Sequence, residues 1–227
     1  MTIPQNQIDL FNAVVKKASL KQEVHKKSVE IFALFKKVAE SLTTNYHLTI
    51  HQTDYPIPFE FKDISPFEFE LKFGSDVLVF YMHSNVFEIP RDHELMKLSY
   101  IKEDKTRSYC GIIHIFNFLN DSFRYNRLND VGYLIGRVFI NKENHYFIEG
   151  KREVGLLYNN FPDAIMNDES IQSIIESSIL YTINFDLLTP PYDTMKEVTV
   201  EEMLNVRENM HISTGKRLGF KFQADTV

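Results

Sequence analysis

Apolar residues divide the chain into three regimes. Between residues 8 and 42 they recur at spacings of three and four: Ile8, Phe11, Val15 and Ala18, then Leu20, Val24, Ile31, Phe35, Val38 and Leu42. That period belongs to amphipathic helix, with one side on a core and the other in water. Ser19 and Gln22 have capping-box spacing, so the pattern predicts two consecutive helices, the second restarting at Ser19, with a continuous kinked helix as the alternative. Lys21, Lys26, Lys27, Lys36 and Lys37 fall largely off the stripe and give the second helix a wet, basic back.

After Asn45 the period changes from about 3.6 to 2, the signature of strands, and Pro56, Pro58 and Pro66 cut the segment into short pieces. Phe67, Phe69, Leu71 and Phe73 alternate with Glu68, Glu70 and Lys72, a strand with one buried and one wetted face. Gly74, Ser75 and Asp76 make a turn, and residues 77–82 return apolar on both faces, as an interior strand does. Residues 88–107 are polar and read as a surface loop or short helix. A further strand spans 109–118, and 120–130 is again loop-like. A second hairpin pairs 133–140 with 145–150 about a turn at 141–144.

Helix returns in the last third. Asn167 or Asp168 can cap a helix over 170–187, where Ile171, Ile174, Ile175, Ile179 and Ile183 form a stripe ended by Thr189, Pro190 and Pro191. Thr199 and Glu202 have capping-box spacing for a short helix running to Gly215. The expected fold is therefore α+β: an antiparallel sheet of about six or seven strands flanked by N-terminal helices and a C-terminal helix. A length of 227 residues fits a single domain with a helical segment over 1–45, mainly strands over 46–160, and helices and tail over 161–222.

Composition narrows the function classes. A formal charge of −6 argues against a broad nucleic-acid or anionic-membrane footprint, which needs many cations. The lone Cys110 lies in an apolar run, so no internal disulfide can form and a cytoplasmic setting is expected. The first seven residues lack a basic stretch followed by an apolar core, and no apolar run approaches ~18 residues, so neither a secretion signal nor a membrane span is expected.

Among catalytic patterns the sharpest is Glu149-Gly150-Lys151, an acidic-x-Lys triplet ending a strand, with Asp130 upstream. It resembles the constellation of restriction-type nucleases of the PD-(D/E)xK class. That resemblance implies an Asp and a Glu holding Mg²⁺ and a Lys activating water. With the turn centred on Lys142 and Glu143, Glu149 lies opposite Gly136, which leaves Asp130 some six residues further along the ladder. At ~3.3 Å per residue that is ~20 Å, too far to share an ion, and only strand bending or another acid such as Asp121 would bring one closer.

Other patterns fail on spacing. Position 97 is Lys where a His93-Glu94 metal helix needs a second His, and His47 and His51 lie on a stretch that reads as extended. Thr214-Gly215-Lys216-Arg217 has Met210 and Arg217 where a phosphate loop needs Gly and Ser or Thr. Cys110 and His114 are out of reach of one another along a strand, and His114 reads as a core histidine with a hydrogen-bond partner. Glu68 and Glu70 belong to the wet face of their strand. No cofactor or metal site is expected.

Two binding features survive. Arg124, Arg127, Lys216 and Arg217, with Phe220 and Phe222 in the tail, combine cations and stacking surface suited to a nucleic-acid or nucleotide sensor. The hairpin over 133–150 is apolar on both sides, so both must be covered, by helices or by a second chain. Arg137 within it needs a carboxylate, a carbonyl or a ligand anion. The leading functional expectation is a non-catalytic binding or protein-interaction domain that pairs with a protein partner or with itself as a homodimer. The metal-dependent nuclease or phosphohydrolase on Glu149 and Lys151, and the sensor, stand as alternatives.

Overall fold

A computed structural model describes residues 4–50, 56–150, 160–185, 189, 191–201 and 203–204. The fold is α+β: a long N-terminal helix, a seven-strand antiparallel sheet and a C-terminal helix packed against the first. In chain order the elements are α1 (Gln5–Thr49), β1 (Phe59–Ser65), β2 (Glu68–Phe73), β3 (Asp76–Met82) and β4 (Phe87–Glu88). They continue with α2 (Ser99–Glu103), β5 (Tyr109–Leu119), α3 (Asn120–Arg124), β6 (Tyr133–Asn141), β7 (Tyr146–Gly150), α4 (Asp168–Ile183) and α5 (Tyr192–Met195). The strand order is β1-β2-β3-β5-β6-β7, with the short β4 pairing to β5.

The expected pair of N-terminal helices is one continuous helix. Residues 5–49 contain neither Gly nor Pro, so nothing forces a break at Ser19. A cap there would give up several backbone hydrogen bonds for one or two side-chain bonds. The helix also runs through Leu48 and Thr49, which read as extended, and closes at an extended Ile50. Of the C-terminal helices, α4 begins as expected, with Asn167 and Ser170 forming a reciprocal capping box. The helix expected after Thr199 is described only at its start, where the Met203 N–H donates to Thr199 O at 3.1 Å; the rest, with Lys216, Arg217 and the tail, lies outside the described residues.

One face of the sheet, the inner face, is closed by α1 and α4. Phe32, Phe35 and Ala39 of α1 and Ile171, Ile174 and Ile175 of α4 pack on Phe69, Leu71, Leu78, Phe80, Ile113, Ile115 and Val138. The expected interior strand is β3, which sits mid-sheet between β2 and β5. Its Phe80 ring stacks on Phe69 of β2 at 4.6 Å.

The second hairpin forms where the pattern placed it, with a register one residue away from the expected one. Glu149 faces Arg137, and Gly136 faces Gly150. The reason is the loop. Asn141 and His145 close it and Asn144 takes a left-handed conformation (φ 63°), a three-residue connection in place of a symmetrical bend. A single-residue slip exchanges the faces of a strand, so Phe147 and Glu149, not Tyr146 and Ile148, share a side with Arg137 and Phe139.

Candidate binding face

Among the described residues, one segment covers one half of the outer face of the sheet. Residues 89–101 fold back over it: Ile89, Leu95, Met96, Tyr100 and Ile101 join Phe161 above Cys110, Ile112, Phe139 and Phe147. Burial pushes the Cys110 thiol pKa up, consistent with a structural rather than a reactive cysteine. This cover stops one rank of side chains short of the sheet's centre.

At its margin a polar row crosses the sheet. The registers place Glu68 of β2, Tyr81 of β3, His114 of β5, Arg137 of β6 and Glu149 of β7 side by side, with neighbouring strands about 4.8 Å apart. Arg137 donates to Glu149, and His93 from the covering segment lies 3.4 Å from the same carboxylate. The Arg137 guanidinium also lies over the Phe139 ring at 5.4 Å. Arg137 thus has the carboxylate it needed, while its side chain stays 41% exposed.

Beyond the row the face is aromatic and open. His114 lies between Tyr81 at 6.3 Å and Phe116 at 5.7 Å; on the other side of the row, beside Ile112 and Cys110, His83 packs edge-on against Phe87 at 4.8 Å. Tyr81 is 37% and Leu134 40% exposed, and Phe87 and Phe123 are exposed as well. His114 is half-buried on this open surface, not a core residue. The covering segment ends before reaching it, which its strand spacing alone could not reveal.

Burial, the Arg137 charge and the neighbouring His83 lower the His114 pKa below its ordinary 6.5. The unfolded chain therefore binds the proton more readily than the folded one. Its contribution to stability is complete above about pH 6.5 and is lost as pH falls below it. Chemical denaturation at pH 7.5 and 5.5 should show a drop on acidification that is smaller in His114→Gln; an equal drop in both contradicts this placement.

The remaining candidate residues lie elsewhere. Asp130, in the connection leading into β6, accepts a hydrogen bond from the Ser122 hydroxyl at 2.6 Å and lies 3.8 Å from Arg127, away from Glu149. Asp121 is in α3 within that connection, and Lys151 lies outside the described residues. Arg124 and Arg127 sit over the Tyr125 ring at 5.2 and 5.4 Å. Among the described residues no group of three His, Cys, Asp or Glu side chains is placed to hold a metal ion, and no helix is long and apolar enough to cross a membrane.

The row was hard to see in the sequence. Tyr81, His83 and His93 carry no motif, and their neighbours come from pairing of strands distant in the chain. No protein-family model, curated protein or solved structure matches this chain.

Proposed function

We propose that this chain is a non-catalytic protein-interaction domain whose partner docks on the open half of the outer sheet face. The observation that carries the reading is the concentration there of Tyr81, Phe116 and Leu134 beside the His114–Arg137 row, with Phe123 of α3 against Phe118 beyond them. Aromatic side chains and arginine are the residues most enriched where proteins bind proteins, and contiguous apolar fields seldom stay in water.

Sheet strands give this surface a fixed shape, so its side chains lose little freedom on docking. Arg137, held by Glu149 yet accessible, gives the partner a charge to orient against at the rim of the apolar field. The test is protection of a thiol introduced at Leu134: reactive in the purified chain, shielded where the partner is present.

A further inference from the structure

Apart from Lys17, the first stretch of α1 makes no packing contact among the described residues. Residues 4–19 are all exposed, and the first buried residue of the helix is Val24. At about 1.5 Å per residue, residues 5–16 make an overhang of roughly 18 Å. Its base is pinned where Lys17 donates to the Tyr109 hydroxyl, which in turn donates to Glu88 at 2.6 Å.

This overhang is apolar along one side. Ile8, Leu10, Phe11, Val14 and Val15 are exposed, Phe11 at 53% and Val15 at 63%. Ile8, Phe11 and Val15 are not an extension of the side that faces the sheet. At about 100° per residue, the arc holding Ile8, Phe11, Val15 and Ala18 lies roughly 130° around the helix from the arc holding Val24, Ser28, Phe35 and Ala39, while Leu10 and Val14 fall in line with the latter. The stripe therefore looks past the molecule's own core.

We infer that this stripe is a self-association surface, filled by the same stripe of a second copy running antiparallel. Three features favour that occupant. Turned end for end about residue 13, the stripe sets Phe11 against Val15 and Ile8 against Ala18, large against small, in the self-complementary pattern a two-fold axis requires. The cations flanking it on either side, Lys16 and Lys21, lie at its C-terminal end, while Gln7 and Asn12 flank the other. A parallel pair would oppose like charges, whereas an antiparallel pair sets each cationic end against an uncharged one and opposes the helix dipoles. The antiparallel arrangement also places the two sheets at opposite ends of the helix pair.

This pairing gives the interaction reading a second surface and does not depend on the sheet face. Sedimentation equilibrium of the full chain from about 1 to 100 µM should show a mass rising from 26.7 kDa towards twice that value. Phe11→Ser with Val15→Ser should keep the melting temperature and helix content and weaken dimerisation at least tenfold. A wild-type chain that stays monomeric throughout overturns the inference without help from any variant. So does a dimer that survives Phe11→Ser with Val15→Ser, or one lost instead on Tyr81→Ser with Leu134→Ser, which would place self-association on the sheet face.

Discussion

Replacing Gly111 with alanine should destabilise the fold by about 3 kcal/mol, a large effect for adding one methyl. Gly111 lies on β5 opposite Ile140 of β6, where α1 crosses the inner face. A Cβ there would stand 2.7 Å from Ser28 Cβ and closer still to its hydroxyl. Ser28 cannot swing clear: its Cβ is fixed by the helix, and its buried hydroxyl donates to Val24 O at 2.8 Å. The helix must lift, and lifting it opens the seating of Phe32 and Phe35. Because the cost is a clash between two named residues, Ser28→Gly should recover part of it, less about 1 kcal/mol for glycine inside a helix. Denaturant unfolding of the two single variants and the double variant measures the coupling. Additive costs would mean α1 is not seated on Gly111.

Asn141→Ala should be of similar size, again about 3 kcal/mol, with a fall of about 2–4 °C in Tm per kcal/mol. Asn141 is fully buried at the end of β6. Its Oδ1 accepts the N–H groups of Glu143 and His145 at 2.9 and 3.0 Å, which shapes the three-residue loop. Its Nδ2 donates to the Tyr100 hydroxyl at 2.9 Å, and that hydroxyl donates to Glu143 at the same distance. Burial is the main cause that pushes the Tyr100 hydroxyl pKa up to about 12, so it stays a neutral donor throughout the working pH range. Arg107 completes the assembly, donating to Glu143 at 3.0 Å and to Tyr100 O at 2.9 Å. Alanine leaves several of these groups unpaired away from water. The same asparagine holds the loop that sets the hairpin register and ties the outer cover to the sheet. A calorimetric Tm unchanged within a degree would contradict this account.

Much of the architecture was legible because it depends on local pattern. Alternation in β2, apolar residues on both sides of β3, and the Asn167 cap of α4 each carry their signal within a few residues. The hairpin register was not legible from alternation, since both candidate registers bury apolar side chains. It turned on Asn144, a residue type that tolerates the left-handed region, and that asparagine was the available clue. In α1 the apolar phase does change between Ala18 and Val24, but the change marks two uses of one helix rather than two helices. The binding face was least legible. Strand spacing groups His114 with Cys110 and Ile112, yet the cover reaches only the latter two, a matter of where residues 89–101 settle.

Thiol protection at Leu134 tests the central claim most directly, since the chain's only native cysteine is the buried Cys110. Leu134→Cys would carry one reactive thiol on the open half of the outer face, and Lys97→Cys, at an exposed position on the covering segment, would report the general reactivity of the medium. In the purified chain at low concentration both should react with a permeant maleimide at similar rates. In cells that express the protein natively, the account predicts that Leu134→Cys reacts at least about tenfold more slowly than Lys97→Cys, the degree expected of a site held mostly in complex. Equal rates in cells would mean that nothing docks on this face.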